Sequence, residues 1–158
     1  MEEMTKNAVI SEDQLYRYSL ERVWDTSKPT VLFICLNPST ADAKTDDPTV
    51  RRMIGFAKQF GFGRLLVGNL FAFRATKPSD LLAANAPIGP ENDTYLSKMA
   101  NEAHTIIAAW GNKGIFKNRS NQFRKEFKDH QIKCLAKNKT TEPKHPLYAS
   151  YGDELLDL

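Results

Sequence analysis

The sequence predicts an α/β fold, a three-layer α/β/α sandwich around a central, mainly parallel sheet of four strands. Four short apolar runs, each bounded by turn residues, are typical of buried strands. Helical patterns lie between these runs, and strands that alternate with helices form parallel sheets through right-handed crossovers. The 158 residues contain no repeat, low-complexity tract or linker, so we expect a single domain.

The chain opens with a polar segment, residues 1–12, which predicts a flexible lead to the domain of residues 13–158. Residues 16–24 then alternate, which predicts a half-exposed strand added at an antiparallel edge of the sheet. Its predicted faces carry Tyr16, Tyr18 and Leu20 on one side and Arg17, Ser19 and Glu21 on the other. A short helix is the alternative, because the last residues break the alternation.

The four buried strands and the helices between them follow in order. The predicted strands are residues 31–36, 65–70, 105–110 and 132–135. Pro48 suits the first turn of a helix that Gly61 ends. Asp93 predicts the cap of a helix that runs to residue 102, and Asn118 or Ser120 predicts the start of another.

The composition argues against several classes of protein. No stretch approaches the roughly 20 apolar residues of a membrane helix. The acidic start of the chain, with no apolar run behind it, is unlike a signal peptide, so we expect a cytoplasmic monomer. Cys35 and Cys134 lie in apolar runs, as buried free thiols do. The three histidines are far apart, and there is no GxGxxG or Walker loop, so we expect no metal and no cofactor.

The charge of the chain is concentrated in one segment. The net charge is only +3, but residues 113–128 hold six basic residues against one acid, which gives +5. Such a block is usually a solvated helix face, and it contacts phosphate only where it flanks a site.

Polar and aromatic residues follow the predicted strands, where parallel sheets bind their ligands. We expect these residues to converge on one pocket for a nucleobase or nucleotide, because asparagine amides match the edge of a base and aromatic rings stack on it. The predicted site residues are Asn37, Pro38, Ser39, Asn69, Phe71, Phe73, Arg74, Trp110, Gly111 and His145.

Several of these residues also have a plain structural interpretation. Asn37-Pro38 is a common turn, and at least one of Phe71 and Phe73 is expected in the core. Asp42 and Asp47 either belong to the site or order the loop after the first strand. For Asp47 we favour the cap of the helix that starts at Pro48.

Six motifs resemble a bacterial and phage family of conserved domains of unknown function. They are LNPSTAD (36–42), DDPTVRR (46–52), NLFAFRAT (69–76), GPENDTYL (89–96), AWG (109–111) and HPLY (145–148). A more distant resemblance is to the mismatch-specific branch of the uracil-DNA glycosylase superfamily. The LNPS segment is similar to the loop after that branch's first strand, NLFAFRAT tracks the stretch after its second strand, and His145-Pro146-Leu147 corresponds to its closing motif.

The second resemblance implies a hydrolase that cleaves the N-glycosidic bond of a modified or deaminated base in DNA, as DNA repair requires. It implies that Asn37 positions the attacking water, that Asn69 reads the edge of the base, and that His145 donates to the departing base. Phe71 or Phe73 would stack on that base. The contacts to phosphate or DNA are then expected from Arg51, Lys113, Lys117, Arg119 and Leu147, with Leu147 as a wedge.

Two alternatives remain open at this point. The same pocket would serve a non-catalytic nucleotide or nucleic-acid sensor, which the lack of a strong carboxylate base beside Asn37 favours. The strand of residues 16–24 would otherwise pair with a partner chain through its exposed edge.

Overall fold

The fold is described by a computed structural model that covers residues 3–151 and 154–158, and these residues form an α/β structure with one mixed sheet. The strands are β1 (Thr5–Ile10), β2 (Arg17–Val23), β3 (Thr30–Cys35), β4 (Arg64–Asn69), β5 (Thr105–Ala108), β6 (Ile132–Cys134) and β7 (Leu156–Asp157). The helices are α1 (Pro48–Gln59), α2 (Pro78–Ala83), α3 (Asn92–Glu102) and α4 (Arg119–Glu126), with 3₁₀ turns at Asn112–Asn118 and Pro146–Tyr148.

The seven strands lie in the order β1-β2-β4-β3-β5-β6-β7. Strand β3 pairs in parallel with both β4 and β5, and β5 pairs in parallel with β6. The chain therefore leaves β3 toward β4 on one side and later returns to β5 on the other side. This change of direction opens a crevice at the carboxyl end of β3, the usual place for a ligand in such sheets.

The N-terminal part of the sheet corrects the prediction. Residues 5–10 form β1, which pairs antiparallel with β2, so this stretch is not a flexible lead. Strand β2 pairs antiparallel with β4 on its other side, so it lies inside the sheet and not at its edge. The polar side chains of β1 are exposed, so the sequence pattern did not indicate a strand. The strand is held mainly by backbone pairing.

A bulge in β2 changes which side chains face the core. The pairing shifts between Val9 and Ile10, which lie opposite Ser19 and Arg17. Tyr18 therefore stacks on Tyr95 of α3, whereas Leu20 joins the cluster under α1, so the two residues do not share the predicted face. The bulge also leaves Arg17 buried, where simple alternation predicted an exposed side chain.

Helix α1 begins at Pro48 with the predicted cap, and α4 begins within one residue of the prediction. Helix α3 begins two residues before the start that a cap at Asp93 implies, and α2 was not predicted. Asp47 caps α1 by accepting a hydrogen bond from the Val50 amide, and Pro48 occupies the first turn. Asp93 does not cap α3, because it is the second residue of the helix, and its carboxylate accepts a hydrogen bond from Arg119 of α4 at 3.0 Å. Asn118 precedes α4 in a left-handed conformation, and its Oδ1 accepts a hydrogen bond from the side chain of Asn121 at 2.7 Å and not from a backbone amide of the helix.

The core consists of two apolar clusters, and successive residues of a strand contribute to different clusters. Phe33 and Val67 belong to the cluster that contains the buried residues of α1. Leu32 and Leu66, one residue earlier on the same strands, belong to the cluster that contains the buried residues of α3 and α4. Cys35 and Cys134 are both buried free thiols, as expected. Among the described helices, none has the length and apolar character needed to cross a membrane.

Candidate functional site

A cavity of about 330 Å³ opens at the carboxyl ends of β3 and β4. Asn37, Asn69 and His145, which are far apart in the sequence, all line it. The cavity lies at the lower end of the roughly 300–1,000 Å³ that is common for small-molecule pockets. The strand-end residues therefore share one concave surface, which is the arrangement that a common site requires.

Asn69 is the most unusual residue of this surface. It ends β4 and only 1% of it is exposed, and among residues 3–151 and 154–158 neither its amide nitrogen nor its amide oxygen has a hydrogen-bond partner. Buried amides are nearly always paired, because an unpaired one costs about 1–3 kcal/mol. A donor and an acceptor are thus held unpaired side by side on the wall of the cavity.

His145 lies at the start of the C-terminal 3₁₀ turn, half-buried against the cavity. The backbone N–H of Leu147 donates to its Nδ1 at 3.1 Å, so the proton of the neutral ring is on Nε2. Burial lowers the pKa of His145 below its ordinary value, and the nearby charge of Asp47 opposes this only in part. At neutral pH the ring is therefore an uncharged donor.

The lowered pKa of His145 predicts a dependence of stability on pH. Below the ordinary pKa of 6.5 the unfolded chain takes up a proton that the folded protein resists, so the folded state loses stability as the pH falls. In His145→Asn the amide oxygen replaces Nδ1 as the acceptor for the Leu147 amide. We expect the melting temperature of this variant to fall less than that of the wild type when the pH is lowered from about 7.5 to about 5. Equal losses in the two proteins would contradict a lowered pKa for His145.

Asn37 holds two strand-end loops together. Its Nδ2 donates to the backbone oxygens of Pro38 at 3.0 Å and Ala75 at 2.9 Å. Its Oδ1 forms no protein hydrogen bond within the described part of the chain, and this oxygen is the part of the amide that remains to accept from water or ligand.

Asp42 and Asp47 have different roles in the loop that follows β3. Asp42 accepts hydrogen bonds from the amides of Lys44 and Thr45, which lower the pKa of its carboxyl, and it does not line the cavity. Asp47 caps α1 and also accepts from the Ala41 amide at 3.3 Å, while its side chain lines the cavity. The cap predicted for Asp47 is thus present, and a carboxylate lies in the same cavity as Asn37.

A buried arginine of β2, Arg22, holds this loop in place. Arg22 is fully buried, and its Nε lies 2.8 Å from Asp46. Its Nη2 donates to the backbone oxygens of Asp42 at 2.7 Å and Thr45 at 3.3 Å. The loop that leads to Asp47 is therefore held by charge-assisted hydrogen bonds to β2.

Helix α1 also holds the loop that contains His145. Arg52 donates to the backbone oxygens of Pro146 and Ala149, at 3.3 and 2.5 Å, and its guanidinium lies 3.9 Å from the ring centre of Tyr151. Helix α1 thus carries Asp47 at its N-terminus, and one turn further along it holds the loop of His145 through Arg52.

An open groove of about 720 Å³ adjoins the cavity and shares Ser39, Ala75 and Thr76 with it. Phe73 and Arg74 line this groove and not the cavity. Ser39 and Pro38 line the cavity, together with Trp110 and the half-exposed Leu147. The groove gives an extended ligand a path that leads from Arg74 into the cavity.

Some predicted site residues lie elsewhere. Phe71 is fully buried against Phe116 in the core, which is the structural alternative given above for one of the two phenylalanines. Gly111 adopts a positive φ of 74° and donates its amide to Pro143, but it does not line the cavity. Its role in the structure is to turn the chain after β5.

The predicted basic contacts are also dispersed. Arg51, Lys113 and Lys117 are exposed and do not line the cavity. Arg119 is buried, with its Nε donating to the backbone oxygen of Leu70 at 2.9 Å and its Nη2 donating to Asp93. This placement leaves Arg119 with a role in joining α4 to α3, and the positive segment of residues 113–128 has no direct access to the cavity.

Besides Arg22, sequence reasoning missed two buried ionisable residues that lie at the cavity or hold its wall. Glu142 accepts hydrogen bonds from Trp110 Nε1 and from Ser120 at 3.2 Å, which fixes the indole that forms part of the cavity wall. Arg17 lines the cavity with 3% of its surface exposed. Only a break in the alternation of β2 would have revealed Arg17. Among the described residues, no group of histidine, cysteine and acidic side chains is arranged to hold a metal ion.

The fold and the cavity define an α/β protein with a small pocket, lined by apolar and polar side chains, at a topological switch point of its sheet. Residues 17–147 match the family described as "Protein of unknown function (DUF1643)", and the chain belongs to this family. No curated protein and no solved structure matches the chain.

Proposed function

We propose that the cavity binds a nucleobase of a nucleotide or a nucleic acid, and that the protein hydrolyses the N-glycosidic bond of that base. The observation that carries the proposal is the unpaired amide of Asn69, buried on the wall of the cavity. An amide offers one donor and one acceptor in a plane, and a base edge offers the complementary pair. A bound base would satisfy both atoms at once.

The size of the cavity supports a single base and not a segment of duplex. At about 330 Å³ it accommodates a base and part of its sugar. A base in a duplex would therefore have to leave the stack, at a cost of a few kcal/mol. The groove with Phe73 and Arg74 would hold the adjoining strand, and Leu147, half-exposed at the cavity, would replace the extruded base.

The proposed reaction uses three side chains of the cavity. Asn37 Oδ1 and the Asp47 carboxylate orient a water molecule, and Asp47 accepts its proton as the oxygen bonds to the anomeric carbon. The carbon–nitrogen bond breaks, and its electron pair remains on the base. The Nε2 proton of His145 donates to a carbonyl oxygen of the departing base and stabilises the charge that develops there.

The proposal includes the three-layer α/β/α arrangement and the likeness to uracil-DNA glycosylases inferred from the motifs. The parallel pairing of β4, β3, β5 and β6 is consistent with it. So is the position of the motif residues Asn37, Asn69 and His145 on one cavity.

Two buried asparagines provide a matched test of base binding. Asn69→Leu removes the unpaired amide, so we expect base or nucleotide affinity to fall about 10- to 100-fold with little loss of stability. Asn92, also fully buried, donates to the backbone oxygens of Asn69 and Leu70, so Asn92→Leu should lower the free energy of unfolding by about 1–3 kcal/mol.

The measurements are calorimetry with free bases, nucleosides and nucleotides, and urea unfolding of both variants. Unchanged affinity in a folded Asn69→Leu protein would contradict the proposed role of Asn69. A large loss of stability in that variant, equal to the loss in Asn92→Leu, would indicate a structural amide.

Hydrolysis is tested on oligonucleotides, both single-stranded and duplex. The substrates carry uracil, mismatched thymine, hypoxanthine or a bulky modified pyrimidine, and the readout is strand scission at abasic sites. Abasic product that disappears in His145→Asn supports the enzyme, whereas no product on any substrate removes the hydrolytic part of the proposal.

A second function, nucleotide binding without cleavage, is favoured by one observation. Both oxygens of Asp47 accept backbone hydrogen bonds, from Val50 and Ala41, so the lone pairs that a general base would offer to water are partly occupied. Tight binding of mononucleotides with no abasic product would identify the protein as a sensor.

A further inference from the structure

Arg17 places a positive charge inside the cavity with little to balance it. Its Nη1 donates to the backbone oxygen of Ala41 at 3.1 Å, and its Nε is buried with no hydrogen-bond partner among the residues that the structure describes. In the described part of the chain no carboxylate forms an ion pair with it. Burial lowers the pKa of Arg17 to about 10, so the guanidinium still carries its charge at neutral pH.

The neighbouring groups do not supply the missing anion. Burial raises the pKa of the Cys35 thiol to about 12, so Cys35 remains neutral beside Arg17. Asp47 attracts the guanidinium from a distance, but its oxygens accept from the Val50 and Ala41 amides. A buried charge without a close counter-ion costs several kcal/mol, and a bound anion would remove most of that cost.

The position of Arg17 indicates which end of a ligand it meets. It lines the cavity with Cys35, Met53, Val67 and Asn69, all of which are buried, whereas Leu147 and Tyr148 on the same cavity are exposed to solvent. Arg17 and Asn69 thus share the closed end of the cavity. If Asn69 pairs with a base, Arg17 faces the same base and not its phosphate.

We propose that Arg17 is a specificity-determining residue that binds the base in anionic form and selects acidic bases that carry carbonyl oxygens. This inference rests on the proposed function of the same cavity. A guanidinium only donates hydrogen bonds, so it matches carbonyl oxygens and opposes the exocyclic amino groups of adenine and cytosine. In the proposed hydrolysis the base leaves with the electron pair of the broken bond, and Arg17 would balance that negative charge alongside His145.

The test uses free bases of graded acidity as probes. Uracil, 5-fluorouracil and 6-azauracil become more acidic in that order at nearly constant shape, and adenine and cytosine serve as amino-base controls. Calorimetry at one pH should give wild-type affinities that rise along the uracil series, by about tenfold or more in total, with little binding of the controls. Arg17→Met should abolish this rise, and Arg17→Lys should keep part of it.

Thermal unfolding separates this role from a structural one. Removal of a buried charge with one hydrogen bond should leave the melting temperature of Arg17→Met unchanged or higher, whereas a structural arginine would lower it in both variants. A rise in affinity that persists in Arg17→Met, or its absence in the wild type, would overturn the inference while base binding stands. If no base binds to the wild type, the proposed function falls together with the inference.

Discussion

Replacement of Asp47 by asparagine is expected to lower the rate of base release by about two to four orders of magnitude while base binding is retained. The amide oxygen of asparagine still accepts the hydrogen bond from Val50, so α1 keeps its cap. The amide nitrogen cannot accept the longer bond from Ala41 at 3.3 Å, so the variant loses that bond together with the group that accepts the proton of the attacking water. Single-turnover rates on the oligonucleotide that gives abasic product measure the effect.

Asp42 provides the matched control for this substitution. It lies in the same loop and also accepts two backbone hydrogen bonds, from Lys44 and Thr45, but it does not line the cavity. Asp42→Asn should therefore leave the rate within about twofold of the wild type, as expected for a change outside the site. A folded Asp47→Asn protein with the wild-type rate would show that the carboxylate only caps the helix.

Arg22→Met is expected to lower the free energy of unfolding by about 3–5 kcal/mol, a large part of the stability of one domain. The substitution leaves the partly buried Asp46 carboxylate without its close partner at 2.8 Å. It also leaves the backbone oxygens of Asp42 and Thr45 without their donor. Urea unfolding followed by circular dichroism gives the difference directly.

A second cation at the same carboxylate supplies the control. Lys6 lies 3.4 Å from Asp46 but is one-third exposed, so Lys6→Met should change the free energy of unfolding by less than about 1 kcal/mol. Similar losses in the two variants would mean that the contacts of Arg22 with the loop contribute little.

The parallel part of the fold could be predicted because its strands are short apolar runs between turn residues. Residues 31–36 and 65–70 were predicted as strands, and β3 and β4 lie within one residue of them. Since parallel strands end at one edge, the convergence of Asn37, Asn69 and His145 followed from the order of the strands.

The rest depended on tertiary contacts that local patterns do not contain. Strand β1 has polar side chains and is held by its pairing with β2, so its composition indicated a lead segment. A bulge of one residue moved Arg17 from the predicted exposed face into the cavity, which no regular period of two can anticipate. The unpaired state of Asn69 is a property of its surroundings alone.

Helix α1 holds two walls of the cavity, so the packing of this helix on the apolar core sets the shape of the cavity. Because Asp47 begins this helix and Arg52 secures the C-terminal loop, a shift of α1 would carry both of these walls in concert. The volume left for a ligand would then depend on core side chains of α1 such as Phe56, which is fully buried and does not line the cavity. Larger or smaller residues at such positions offer a route to variants whose cavity admits larger or smaller ligands while its polar side chains stay unchanged.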